Sequence, residues 1–289
     1  MLSKRETTIQ ELNRWTPHLL CPHCHQPLKW ENNQLRCQNR HSFDIAKSGY
    51  LNLAPQHHEK HYTKDLFIAR QLLMNDYQFY GDIYQQMMTA LIPYLTADKP
   101  QRLLDLGTGE GTHFIQFLKA WQNHQYPEVT GMGIDLAKAG IQLAAKQSAA
   151  ARWTIADLSH IPLADNSIDG ILTILSPANY QEIKRVLKPN GWILKIIPGP
   201  NYLKELRACV LPPEDVINDG QSSIQRFNEQ FTETSMIRYQ RDVPLSDEAN
   251  QALQTMTPLM WHASKNQRTQ ASQLHHIQVD LHGLIGKNN

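Results

Sequence analysis

A mostly parallel, doubly wound α/β sheet, preceded by a small metal-binding β-ribbon module, is the architecture to which this 289-residue sequence points. Three observations carry the expectation. From residue 101 to about residue 200, short apolar runs alternate with helix-patterned stretches, as in a parallel sheet built from strand–helix–strand units. A glycine-rich turn follows the first of those runs. Three of the four cysteines crowd between Cys21 and Cys37, with a histidine at position 41. With 41% hydrophobic and 19% charged residues the chain has ample material for a core, which excludes a long disordered or collagen-like protein.

The elements follow in order. Residues 1–55 form the front end, where Leu28, Trp30, Leu35 and Phe43 alternate with polar neighbours as in small β-ribbons. Residues 56–64 are polar throughout and read as a linker. Helical spacing returns over 66–95, interrupted near Asp76–Gly81, so two bridging helices are expected within 56–100. The body, 101–289, opens with the strand Arg102–Leu106 and the helix Phe114–Trp121. Further strands are expected at Val129–Ile134, Trp153–Ala156, Gly170–Leu175 and Trp192–Ile197, with helices at 136–147 and 180–187. Lys188-Pro-Asn-Gly191 reads as a turn. Residues 207–289 are expected to add helices and closing antiparallel strands.

Charge narrows the function classes. The net charge is +1, so a nucleic-acid partner would have to be held by a local patch. Residues 1–70 hold ten Lys/Arg against six Asp/Glu, and seven of the fourteen histidines. The front end is therefore mildly basic and the body mildly acidic. No stretch approaches the roughly 18 apolar residues of a membrane helix. The first fifteen residues are polar and mixed in charge, without the apolar core of a signal peptide, so the expected location is cytoplasmic.

Two motifs carry chemistry. In Cys21-x2-Cys24-x12-Cys37-x3-His41, two knuckles each offer two ligands, which suits one tetrahedral zinc ion. With four protein ligands no position remains for water, so such a metal is structural. His23 and His25 lie within or beside the first knuckle and read as exposed loop histidines; Cys209 reads as a buried thiol. The second motif is Asp105-Leu-Gly107-Thr-Gly109-Glu110-Gly111 at the end of an apolar strand. Its G-x-G-x-G spacing differs from the dinucleotide fingerprint, and no Gly-Lys-Ser/Thr of a P-loop is present. An acid followed by G-x-G-x-G after a first strand is the pattern of class I S-adenosylmethionine-dependent methyltransferases. Asp135 and Asp157 close the next two strands, where one carboxylate can accept the ribose hydroxyls and the other can meet the adenine amino group. Ligands of doubly wound folds sit beyond the carboxyl ends of the strands, so these acids converge on one crevice. Ser176-Pro-Ala-Asn-Tyr180 is similar to the Asp/Asn-Pro-Pro-aromatic motif of amino-group methyltransferases, but in the wrong order, and reads as a turn and helix start. The His57–His61 cluster reads as a solvated loop.

The segments CPHCHQPLKW, CQNRHSFDIAKSGYLNLAP, LLDLGTGEGTHF, LKPNGWILKIIPGPNYLKEL and MTPLMW, in this order, resemble the large-subunit rRNA guanine-N1 methyltransferases of the RlmA type. The resemblance runs from about residue 19 to residue 262. It implies transfer of a methyl group from S-adenosylmethionine to N1 of a guanine in a hairpin of 23S rRNA. It also implies zinc ligands at Cys21, Cys24, Cys37 and His41, a cofactor loop at Gly107, Gly109, Glu110 and Gly111, and cofactor contacts from Tyr80 and Tyr202. Tyr77 competes with Tyr80, and Tyr202 stands where the family carries histidine. A homodimer that pairs two front ends into one RNA cleft is the expected assembly. A small-molecule methyltransferase of the same fold is the alternative, and the basic, metal-stapled front end argues against it.

Overall fold

The computed structural model describes residues 3–57, 61–95, 99–123, 128–216 and 220–289. Most of the His57–His61 cluster falls outside these residues. The front end begins with helix α1 (Lys4–Leu12), which the sequence reading does not include. Its start is a capping box in which Ser3 and Glu6 satisfy each other's backbone amides. A three-stranded antiparallel ribbon follows, with β1 (Lys29–Glu31), β2 (Gln34–Arg36) and β3 (Ser42–Phe43) in that order. Leu28, Leu35 and Phe43 are its buried positions.

The next strand, β4 (Tyr50–Asn52), leaves the ribbon and joins the main sheet. Bridging helices α2 (Lys64–Asn75) and α3 (Ile83–Leu91) then lead to β5 (Gln101–Leu106), α4 (Thr112–Asn123), β6 (Val129–Asp135), α5 (Lys138–Gln147) and β7 (Ala151–Ile155). After these come β8 (Ile168–Ile174), α6 (Tyr180–Val186) and β9 (Leu187–Pro198). The chain closes with α7 (Lys204–Val210), α8 (Gln221–Gln230), β10 (Thr232–Pro244), α9 (Asp247–Met256), α10 (Lys265–Ala271) and β11 (His276–Lys287).

The main sheet has eight strands in the order β10-β11-β9-β8-β5-β6-β7-β4. From β9 through β4 neighbouring strands are parallel; β11 and β10 close the sheet antiparallel, as expected for the C-terminal third. Central strands covered on both faces read as near-continuous apolar runs, as β8 and the second half of β9 do; β7 is buried along its whole length. Because β5 pairs with both β6 and β8, strand order reverses there and opens a crevice at the carboxyl ends.

One detail departs from the sequence expectations. Lys188–Gly191 is not a free turn before a strand but a bulge inside β9, between the pairs Ile168↔Leu187 and Gly170↔Trp192. The C-terminal Asn288 stitches it into the sheet by accepting from Asn190 N and donating to the Gly191 carbonyl. The front end packs against the body. β4 pairs in parallel with β7 through Tyr50↔Trp153 and Asn52↔Ile155, and Leu53 N donates to the Ile155 carbonyl. Leu12, Trp15, Cys21 and Leu35 share one buried cluster with Leu104, Met132 and Ile171 of the body. A division after residue 55 thus leaves one strand of the main sheet on the front side.

The bridge positions a tyrosine. The break between α2 and α3 turns through Gln78 (φ 46°) and Gly81 (φ 51°). Strand β10 pins that turn, with Arg241 donating to the Gln78 carbonyl and Tyr239 to the Tyr80 carbonyl. On the other side of the crevice, helix α5 lies directly on the glycine-rich loop, because Gly140 has no side chain. A Cβ there would stand 2.7 Å from both the carbonyl carbon and the oxygen of Gly109. Gly140→Ala must push α5 off the loop, and overpacking of this kind costs about 1–3 kcal/mol. Urea denaturation should report that loss.

Candidate active site and metal centre

Cys21, Cys24, Cys37 and His41 come together at the tip of the ribbon, their ligand atoms all within 4.8 Å of one another. Cys21 Sγ and Cys37 Sγ each lie 3.4 Å from His41 Nδ1, and Cys24 Sγ lies 3.6 Å from Cys37 Sγ. Tetrahedral zinc, with bonds of about 2.0–2.3 Å, sets ligand edges of roughly 3.4–3.8 Å, so the donor set fits that ion. Each knuckle is shaped by its own backbone: His25 N donates to the Cys21 carbonyl, and Arg40 N, at a φ of 65°, donates to the Cys37 carbonyl. His23 is exposed and braces the ligand histidine, its ring 5.1 Å from that of His41 and stacked on Phe43. Cys209 is half-buried, its thiol donating to the Glu205 carbonyl.

The crevice at the strand ends is a cleft of about 840 Å³. Gly107, Asp135, Asp157, Tyr80 and Tyr202 all line it, so five of the expected cofactor residues converge. Gly107, with a φ of 75°, lies so close to Ser176 that a Cβ would stand 2.0 Å from the serine Oγ. Asp135 also braces the glycine loop. Its two oxygens accept from Gly109 N at 2.8 Å and Ala137 N at 2.7 Å, fixing the loop to the end of β6. Asp157 is exposed. Burial pushes its carboxyl up, but hydrogen bonds from Ser159 outweigh that and hold it below the ordinary range. The hydroxyls of Tyr80 and Tyr202 lie 3.0 Å apart. Tyr77 instead turns away to donate to Glu248.

The remaining loop residues are not in the lining. Gly109 and Gly111 carry φ of 56° and 79° and pass against Phe67 and Trp153. Glu110, expected at the cofactor, is only 1% exposed and faces Arg70, 3.4 Å away. Asp105 is 2% exposed, and its Oδ2 has no hydrogen-bond partner among the described residues. Burial raises its carboxyl to about 7; Thr108 opposes this, and Asp135 and Glu110 add to it.

Lys195, His113 and Arg70 are among the lining residues that the sequence reading does not single out. Lys195 is the single charged residue in the apolar run Trp192–Ile197, a signal available in the sequence. Its Nζ donates to the Ser176 carbonyl, and burial lowers it to about 8. His113 follows the loop directly. Burial, with Arg70 nearby, lowers it to about 3, so the ring is neutral, and its Nδ1 lies 2.9 Å from Tyr84 Oη. Arg70 comes from α2, where helical spacing gives no hint that it reaches the cleft. Ser176, Pro177, Ala178 and Tyr180 also line the cleft, while Asn179 caps α6 as the turn reading expects.

Sheet order, glycine loop and strand-end acids define a class I S-adenosylmethionine-dependent methyltransferase, here carrying an N-terminal zinc ribbon with a Cys3His cluster. A family model for the RlmA N-terminal zinc ribbon matches residues 19–61, and one for a methyltransferase domain matches 103–191. The chain belongs to the 23S rRNA (guanine-N1-)-methyltransferase family. It is 30% identical over 275 residues to a putative 23S rRNA (guanine-N(1)-)-methyltransferase of Bacillus subtilis, covering 92% of this chain and 95% of that one. It is 31% identical over 191 residues to the 23S rRNA (guanine(748)-N(1))-methyltransferase of Streptomyces fradiae, covering 65% of this chain and 66% of that one. A putative methyltransferase structure from Anabaena variabilis shares the fold, with a TM-score of 0.51 at 14% identity over 70% of this chain and 96% of that one.

Cys24→Ser should lower bound zinc well below one per chain and lower the melting temperature, because structural zinc contributes folding energy directly. Metal analysis beside a thermal melt checks this, and full zinc in the variant would reassign the ligands. A second expected outcome concerns Asp105. Its folded-state value lies above the unfolded 3.8, so its contribution to stability is complete below that value and is lost as pH rises towards about 7. Asp105→Asn should therefore gain on the wild type between pH 5 and pH 8, by about 2–3 kcal/mol in urea titrations.

Proposed function

We propose that this protein transfers the methyl group of S-adenosylmethionine to N1 of a guanine in a hairpin of 23S rRNA. The observation that carries the reading is the Cys3His ribbon joined, through β4, to the sheet that bears the methyltransferase cleft. Likeness to the Bacillus subtilis protein over nearly the whole chain supports it. S-adenosylmethionine supplies an activated sulfonium methyl when bound. The chain has to hold the ends of that molecule and to admit the base.

In this reading Asp135 takes the ribose, Asp157 the adenine edge, and the Tyr80–Tyr202 pair borders the methyl group. Asp105, Gly109, Glu110 and Gly111 act at one remove, shaping the loop. Guanine N1 lies on the Watson–Crick edge, so the base must leave its pair before it can enter. The bound cofactor would supply the methyl carbon to N1 and leave as the thioether, and the N1 proton would pass to water. Lys29, Arg40 and Lys47 are exposed on the front end and Arg36 is shared with Glu31, which suits phosphate contacts that position RNA. The reading includes a homodimer with paired front ends and a cytoplasmic location; among the described residues no helix is long and apolar enough to cross a membrane.

Mass-spectrometric mapping of 23S rRNA from cells with and without the gene tests the proposal. One N1-methylguanosine should vanish with the gene and return when purified protein and cofactor are added. Unchanged rRNA, together with transfer to a metabolite panel, would move the activity to the small-molecule class.

A further inference from the structure

We infer that Arg70 is the receptor for the methionyl carboxylate of S-adenosylmethionine, held in place by Glu110. The inference rests on the cleft being the cofactor site. Arg70 projects from α2 into the cleft lining with its side chain 22% exposed. Its guanidinium lies 5.4 Å from the centre of the Phe67 ring, and a Cβ on Gly109 would stand 2.9 Å from its Nη1. The cation therefore rests against the glycine loop on an aromatic floor, beside Tyr80 and Tyr202.

What it lacks is enough anion. A guanidinium has five N–H donors in a planar fork that matches a carboxylate. Among the described residues its one hydrogen-bond partner is Glu110, through Nη1, at a long 3.4 Å. Burial would lower Arg70, but the field of Glu110 and Asp135 keeps it raised and firmly charged. Burial raises the Glu110 carboxyl, and the Arg70 cation opposes that rise. The other cations in the lining are Lys195, committed to the Ser176 carbonyl, and Arg226 on α8. Asp135 and Asp157, at the ends of β6 and β7, suit the hydroxyl and amino donors of the nucleoside, and they would repel a carboxylate. The cofactor carries one carboxylate, at the end opposite its adenine, and Arg70 sits on the loop next to the tyrosine pair. Glu110 then orients the fork and leaves the outward N–H groups to the ligand.

The test uses the zinc-loaded full chain and calorimetry with three probes: S-adenosylmethionine, its decarboxylated form, and 5′-methylthioadenosine. The wild type should prefer S-adenosylmethionine to the decarboxylated form by about ten- to a hundredfold, the worth of a charge-assisted pair. Arg70→Met should abolish that preference while leaving 5′-methylthioadenosine affinity unchanged, and Arg70→Lys should keep part of it. Because Arg70→Met strands a buried carboxylate, Arg70→Met/Glu110→Gln is measured beside it and should behave alike. Equal loss for all three probes in both variants would make Arg70 a purely structural cation and overturn the inference. So would a wild type that does not distinguish the first two probes. A wild type that binds none of the three would instead remove the cofactor reading on which the inference rests.

Discussion

The five residues between β5 and α4 must turn sharply without side chains on the inside, and the site is arranged around that constraint. Gly107, Gly109 and Gly111 all hold positive φ, and an added Cβ on each would meet Ser176, Arg70 with Phe67, or Trp153. These neighbours come from α2, from β7 and from the connection after β8, so the loop is a hub of close packing. Asp135 fastens it from the side through Gly109 N. Any residue that widened the turn would shift the end of β6, the start of α4 and the bridging helix α2 together. Interiors packed this tightly pass on a displacement rather than absorb it.

Around the loop the protein concentrates charge that water would otherwise screen. Asp105 and Glu110 are buried behind it, and Asp135 stands at its edge. Burial raises both Asp105 and Glu110, so the loop's acidic surroundings are expensive to keep ionised. A cationic ligand relieves such a field, as S-adenosylmethionine with its sulfonium and amino group would. The neutral His113 and the two tyrosines add polarity without further charge.

Much of this was legible in the residues themselves. The parallel strands from β5 to β9 announce themselves as apolar runs, and the Cys21–His41 spacing names its four ligands. The acids at positions 135 and 157 mark their strand ends. Helix α1 was equally readable, since Ser3-x-x-Glu6 is a capping signal, but its weakly apolar face hid it. Glu110 shows where sequence falls short. A family's motif position identifies the residue, yet whether its carboxylate faces ligand or cation depends on a helix forty residues earlier. Arg70 is the same failure seen from the other side. The bulge at Lys188–Gly191 was hidden because its partner is the last turn of chain, nearly a hundred residues away.

The placement of β4 bears on how the main sheet ends. All five residues of β7 are buried, yet without β4 this strand would end the sheet as a bare parallel edge. Edges of that kind recruit strands from other molecules. β4 occupies the edge, and the segment just before it covers it in turn, with Ile45 bridged to Leu51 and Ala46 N donating to the Tyr50 carbonyl. The hairpin that closes the sheet is thus tied to the metal knuckles a few residues upstream. Cys37 and His41 sit just upstream of the segment that covers the backbone edge of β7, so a metal that orders the knuckles would also steady that side of the sheet.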